Sequence, residues 1–226
     1  MNIARHHALR LKTLRGMTVV HVGAHLAQEA DRYESVGAKR VLWVEAAPDT
    51  YEKLQQSLSQ RDPHRRSVLQ KALFMPPTVH LTINALAGSA DEGHAEFVRF
   101  NNHGASDSIF QLSTECKEMI PGLHATGEVI RLPFRKLDSI VRAAGIEPSE
   151  VDCLVLDVQG AELLCLQGAT EILQHIRCLE TELSTEPIYE GGVLFGELNA
   201  FLEENSFHCK TRIKRVHQNA IYEAAA

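Results

Sequence analysis

The chain has 226 residues, of which 44% are hydrophobic and 23% charged, and its formal net charge is −6. These proportions are typical of globular domains and exclude a disordered, collagen-like or disulfide-framework chain. A mildly acidic chain with 6% aromatic residues is poorly suited to phosphate backbones or anionic lipid, which argues against nucleic-acid and membrane partners. At about 150 residues per domain, we expect one domain, 1–226, with additions.

The cysteines and the apolar runs indicate the compartment. None of the five cysteines has the spacing of a zinc ribbon or redox pair, so we expect free thiols in a reducing, cytoplasmic environment. No apolar run reaches the roughly 18 residues that span a bilayer. Residues 1–16 are basic and predict an N-terminal arm or surface helix.

The first third alternates strand-length apolar runs with helical patterns. The predicted order is strand Thr18–Val22, helix 25–36, strand Arg40–Glu45, a helix opening at Pro48 and a third strand at 67–73. This order describes a βαβαβ half of a doubly wound sheet.

The middle of the chain reads differently. Residues 78–84 and 94–100 alternate with period two around a turn-rich segment, which predicts a β-hairpin. A polar loop follows, and 129–134 is a further candidate strand. We therefore expect an insertion over 78–134. Its hairpin is a candidate lid, or a candidate edge for a homodimer.

The last third returns to the α/β pattern. It predicts helix 137–144, strand 151–158, helix 161–173, strand 176–183, helix 194–204 and a closing antiparallel pair from 208–216 and 220–223. The predicted fold class is α/β, a Rossmann-like doubly wound, mostly parallel sheet with an inserted β-hairpin and loop and an antiparallel C-terminal strand.

Ligands of such sheets bind beyond the carboxyl ends of the strands. Gly23 follows the first strand, where a missing Cβ lets backbone approach a ligand. Glu45 ends the second strand, about 20 residues later, where a carboxylate can accept both ribose hydroxyls. The two residues together predict a nucleoside site.

The glycine turn also limits which nucleoside fits. In the register of a dinucleotide fingerprint, His25 and Gln28 stand where the second and third glycines belong. A single tight turn suits a smaller group than a pyrophosphate, such as an amino-acid carboxylate. This favours S-adenosylmethionine over NAD, while a glycine turn without any ligand stays open.

Several ordered motifs resemble the FkbM-type, class I S-adenosylmethionine-dependent methyltransferases. They lie at 21–28, 43–48, 102–109, 137–169 and 180–195. Within them, His21 stands where many members carry a cofactor-binding acid. Gln159 replaces a frequent Glu. The resemblance covers roughly 17–207.

The resemblance implies methyl transfer with S-adenosylmethionine as cofactor. It implies that Glu45 holds the ribose and that Asp157 faces the cofactor amine or the acceptor. The remaining implied cofactor residues are His21, Gly23, Ala24, His25 and Gln28 at the methionine end and Gln70 and Ala72 near the adenine.

The candidate catalytic residues are Asp157, His103 and Glu182. Each has an ordinary structural alternative: Asp157 is placed to cap the next helix, Glu182 to end a strand in solvent, and His103 to sit on the surface. No tight histidine spacing indicates a metal. The resulting expectation is a methyltransferase acting on a small-molecule hydroxyl, of a sugar or secondary metabolite. The alternatives are a nicotinamide-dependent oxidoreductase and a non-catalytic cofactor-binding protein.

Overall fold

A seven-stranded sheet forms the centre of the computed structural model, which describes residues 14–114, 116 and 120–225. Ten strands are described: β1 Thr18–Val22, β2 Arg40–Glu45, β3 Val79–Asn84, β4 Leu86–Gly88, β5 His94–Phe100, β6 Ala125–Lys136, β7 Cys153–Leu156, β8 Cys178–Ser184, β9 Phe207–Cys209 and β10 His217–Ala224. The order in the central sheet is β3-β2-β1-β7-β8-β10-β9. Strands β3, β2, β1, β7 and β8 are parallel, and β10 is antiparallel to both of its neighbours.

Helices cover both faces of this sheet. The six described helices of at least five residues are α1 Ala30–Ser35, α2 Pro48–Ser59, α3 Val68–Ala72, α4 Leu137–Ala143, α5 Glu162–Gln167 and α6 Phe195–Glu204. Val20 packs in one core cluster with residues of α4, α5 and α6, and Val19 packs in the other with residues of α1 and α2. Alternate residues of β1 therefore serve opposite cores, which confirms the doubly wound class.

The third predicted strand is wrong. Residues 67–73 contain helix α3, because Ser67 and Gln70 form a reciprocal capping box that starts a helix. The third parallel strand is instead β3, which pairs along its length with β2. The segment predicted as the first strand of an inserted hairpin thus belongs to the central sheet.

The insertion is a separate three-stranded sheet in the order β4-β6-β5. Strand β5 pairs antiparallel with β6, and β4 pairs parallel with the end of β6. An inserted hairpin is therefore present, but β5 pairs with β6 and not with 78–84. The insertion therefore begins after Asn84 and not at residue 78.

The predicted N-terminal arm, 1–16, lies almost wholly outside the described residues. At the other end, β9 and β10 form the expected antiparallel pair. Within the described residues, no disulfide joins any of the five cysteines. Within the ranges described, no helix is long and apolar enough to cross a membrane.

Candidate functional site

A cleft of about 260 Å³ opens at the carboxyl ends of β1, β2, β7 and β8. Its other wall comes from the inserted sheet and the loop that follows β5. Of the residues singled out in the sequence, the cleft is bordered by His21, Gly23, Ala24, His25, Gln28, Glu45, Asp157 and Glu182. Its volume is close to the lower end of small-molecule sites, roughly 300–1,000 Å³.

The turn after β1 is tighter than the sequence suggests. Helix α1 begins at Ala30 and not at residue 25, because His25 and Ala27 take left-handed backbone angles, φ 44° and 55°. Gly23 has a φ of 80°. A Cβ at this position would lie 1.7 Å from the carbonyl oxygen of Asp157. The turn therefore requires glycine where β1 meets β7.

Glu45 is held at the cleft by backbone donors. Its carboxylate accepts hydrogen bonds from the His25 N–H at 2.8 Å and the Ala47 N–H at 2.9 Å, and the residue is 7% exposed. Burial raises the pKa of this carboxyl, against the two N–H donors, which lower it. Each carboxylate oxygen keeps a second lone pair for a ligand hydroxyl.

His25 connects the turn to the loop of the insertion. Its Nδ1 accepts a hydrogen bond from Gln28 Nε2 at 2.6 Å, and its Nε2 donates to the carbonyl oxygen of His103 at 3.0 Å. Both ring nitrogens thus have protein partners, so His25 orients the loop. His103, with a φ of 61°, contributes its carbonyl here and does not border the cleft.

The His21 ring is buried against the side chains of Tyr33 and Trp43. Its Nδ1 lies 2.9 Å from the Tyr33 hydroxyl, its ring centroid lies 5.1 Å from that of Trp43, and it is 2% exposed. Only a small part of His21 reaches the cleft.

The structure places the two residues predicted near the adenine away from the cleft. Gln70 is fully buried and donates from Nε2 to Thr78 Oγ1 at 3.0 Å, and neither it nor Ala72 borders the cleft. The cause is the mistaken third strand, since both residues belong to α3. The apolar residues that do border the cleft include Ala46, Ala85, Leu86, Phe97 and Ile109.

A polar network joins the ends of β7 and β8. Gln159 Nε2 donates to Asp157 Oδ1 at 2.5 Å and to Glu182 Oε2 at 2.9 Å. Gln159 Oε1 accepts from the Tyr189 hydroxyl at 2.6 Å. The N-cap residue of α5 is Ala161, which has no polar side chain, and the Glu162 carboxylate accepts the N–H of Gly160 at 3.2 Å. The helix-capping alternative for Asp157 stays a prediction.

Strand β10 adds two residues that sequence reasoning missed. His217 Nε2 lies 3.3 Å from Glu182 Oε1, and its Nδ1 lies 2.9 Å from Ser184 Oγ. Burial lowers the pKa of His217, but the hydrogen bond and charge of Glu182 outweigh it and raise that pKa above its usual value. Asn219 donates to Glu180 Oε1 at 3.3 Å. Only the pairing of β10 with β8 could have revealed them.

We expect Glu162 to make stability depend on pH. Burial, followed by the nearby Glu182 charge, raises the pKa of this carboxyl from 4.5 to about 7. Between these values the folded state binds more protons than the unfolded state, so the free energy of unfolding falls as pH rises. The Glu162→Gln variant has no carboxyl at this position, so it should not show this loss of stability. The free energy of unfolding of the variant, relative to that of wild type, should rise by about 2–3 kcal/mol from pH 5 to pH 8, as measured by urea unfolding.

The matched control for this prediction is Glu197→Gln. Glu197 also lies in the first turn of a helix, α6, but it is exposed. Its substitution should leave the difference from wild type constant over the same pH range. A Glu162→Gln curve parallel to wild type would show that this carboxyl is ionised in the fold at no cost.

Comparison with known proteins gives a family and a fold. The model of the Methyltransferase FkbM domain family matches residues 21–209. A solved Methyltransferase FkbM from Methylobacillus flagellatus is similar with a TM-score of 0.52 and 16% identity, over 92% of this chain and 43% of that one. The chain thus spans less than half the length of that protein. No curated protein matches the chain.

Two further solved structures are similar at lower scores. A putative methylase from Haemophilus influenzae has a TM-score of 0.48 and 9% identity, over 96% of this chain and 84% of that one. A SAM dependent methyltransferase from Aquifex aeolicus has a TM-score of 0.44 and 10% identity, over 94% and 84%.

Proposed function

Because this chain belongs to the FkbM methyltransferase family, we propose that it methylates a hydroxyl of a small molecule, a sugar or a secondary metabolite. S-adenosylmethionine is the cofactor of this family. The family assignment favours methyl transfer over the nicotinamide-dependent alternative.

The residues around the cleft fit this cofactor. Glu45 offers an immobilised carboxylate to a ribose diol, and the apolar residues Leu86 and Phe97 suit an adenine ring. Asp157 and Glu182 border the same cleft and give it a negative character, which suits a reaction at a positively charged sulfonium. The fixed Glu45 carboxylate is the observation that carries the proposal.

The remaining chemistry falls to residues of the chain. The cofactor supplies a methyl group already activated by its positive sulfur. The chain must orient an acceptor oxygen, exclude water and accept the acceptor proton. Glu182 and Asp157, which border the cleft, are the proposed groups for orientation and proton acceptance. His103 also remains proposed, although its ring would have to move to reach the cleft.

Calorimetry with S-adenosylhomocysteine, the demethylated product, tests the cofactor assignment first. We expect a dissociation constant within the roughly 1 μM–1 mM range of enzyme ligands and no binding of NADH. The reverse result would favour the oxidoreductase alternative.

A methyl-transfer screen then tests the acceptor. Radiolabelled S-adenosylmethionine is offered with matched hydroxyl, amine and carboxyl compounds. Label on hydroxyl compounds is expected. Transfer only to amines would contradict O-methylation. Cofactor binding without any transfer would favour a non-catalytic role.

The homodimer is likewise a proposal, and light scattering of the purified chain tests it. A mass of twice 25.1 kDa is the expected result, and a monomer would leave the inserted hairpin with the role of a lid.

A further inference from the structure

Gln159 occupies an unusual position between two acidic side chains of the cleft. Its single amide nitrogen contacts both the Asp157 and the Glu182 carboxylates, at 2.5 and 2.9 Å. Its amide oxygen takes the Tyr189 hydroxyl. Both N–H groups of the amide and one lone pair of its oxygen are thus engaged, and each partner borders the same cleft.

The backbone of Gln159 is fixed as firmly as its side chain. Its φ is 54°, a left-handed conformation that costs a non-glycine residue roughly 1–2 kcal/mol. Its carbonyl oxygen accepts a hydrogen bond from Ser108 Oγ at 2.7 Å. The loop of the insertion is therefore tied to this residue. Strain kept in place by surrounding contacts is a feature of functional sites.

The neutral amide of Gln159 suits a position between two carboxylates. Two carboxylates that share a small site repel each other, and each needs a donor. A glutamine amide gives one N–H to each without adding charge, whereas glutamate of the same shape would add a third negative charge and remove both donors.

The groups around Glu182 complete the arrangement. His217 of β10 approaches the other carboxylate oxygen of Glu182, and the Glu162 carboxyl of α5 lies near enough for the Glu182 charge to raise its pKa. The Tyr189 hydroxyl, whose single proton is donated to Gln159, also lies 3.4 Å from the carbonyl oxygen of Ser106 in the loop.

We infer that Gln159 is a positioning residue for the acceptor side of the cleft, because its amide holds the Asp157 and Glu182 carboxylates in one arrangement beneath the loop. This inference rests on the proposed function. Gln159 acts through the two carboxylates, because its amide nitrogen donates to both of them.

The first test uses Mn²⁺ alone and needs no acceptor. Gln159→Glu puts three carboxylates together, and oxygen ligands of this kind bind hard divalent cations. We expect Gln159→Glu to bind Mn²⁺ with a dissociation constant below about 1 mM, with a rise in melting temperature. Wild type should show neither effect. The matched control is Gln111→Glu, the same exchange at an exposed side chain of the loop that follows β5.

The second test separates positioning from a merely structural role. Gln159→Met keeps the side-chain length but removes both donors. With the acceptor from the screen, we expect kcat to fall at least about 10-fold, which is 1.4 kcal/mol of transition-state stabilisation, while the KM for S-adenosylmethionine changes less than about 3-fold. Gln111→Met should match wild type.

The pH dependence of melting supplies a third readout. The melting temperature of Gln159→Glu should approach that of Gln111→Glu as pH falls from 8 to 6, because a protonated carboxyl regains one donor. A simple loss of fold would lower stability equally at every pH, so it would not produce the expected result in any of these three measurements.

The inference is overturned if Gln159→Glu gains no Mn²⁺ affinity and Gln159→Met keeps the kinetic and melting behaviour of Gln111→Met. This outcome is distinct from failure of the proposed function. That failure would appear as wild-type protein that binds no S-adenosylhomocysteine, and the Mn²⁺ and melting measurements would still decide whether Gln159 holds the two carboxylates together.

Discussion

Replacement of Glu45 by alanine is expected to weaken S-adenosylhomocysteine binding at least about 100-fold. The reason is that the Glu45 carboxylate borders the cleft while His25 and Ala47 fix it through their N–H groups. Hydrogen bonds to a charged acceptor contribute about 1.5–3 kcal/mol each, so losing the two proposed ribose contacts corresponds to roughly 3 kcal/mol. Calorimetry of the two proteins under identical conditions gives the ratio.

Two further variants show whether this loss is specific. Glu45→Gln keeps the shape but has one carbonyl oxygen for two backbone donors, so we expect an intermediate loss. Glu52→Ala removes an exposed carboxylate from helix α2 and should leave binding unchanged. Circular dichroism confirms that each variant is folded. If Glu45→Ala binds S-adenosylhomocysteine as tightly as Glu52→Ala, then Glu45 does not hold the cofactor.

The sequence predicted best those elements whose pattern depends only on residues close together in the chain. Strands β1 and β2 were predicted with the bounds that the structure has, because their apolar runs are bordered by clear turn residues. The segment 67–73 has a similar apolar pattern, but it forms a helix because Ser67 and Gln70 make the reciprocal hydrogen bonds of a capping box. An apolar run of this length does not distinguish a strand from a short helix.

The candidate site shows the same division. Glu45 and Asp157 were predicted because each directly follows or ends a strand, so the sheet alone places them at its carboxyl edge. Tyr189, although it lies in the motif at 180–195, was not predicted as a site residue, and neither was His217. One lies in a loop and the other on a strand that returns antiparallel beside β8. Their position depends on contacts between segments far apart in the chain, and no sequence periodicity encodes these contacts.

Replacement of Gly23 by alanine is expected to lower the free energy of unfolding by more than about 4 kcal/mol, a size confined to a few severe mechanisms. Two costs add here. A left-handed φ, 80° at this residue, costs an alanine about 1–2 kcal/mol. In addition, the new Cβ would lie 1.7 Å from the backbone oxygen of Asp157, about half of a normal carbon–oxygen contact. Strands β1 and β7 would have to separate.

Gly145→Ala isolates the first of these two costs. Gly145 has a similar φ of 76°, but no atom lies within 4 Å of the Cβ that alanine would add. Its variant should lose only about 1–2 kcal/mol, a melting shift of about 2–8 °C against roughly 10 °C or more for Gly23→Ala. Because Gly23 also borders the cleft, the strand separation should abolish S-adenosylhomocysteine binding, while Gly145→Ala keeps it. Equal melting shifts for the two variants would mean that β1 and β7 can part cheaply, and that the glycine serves the backbone angle alone.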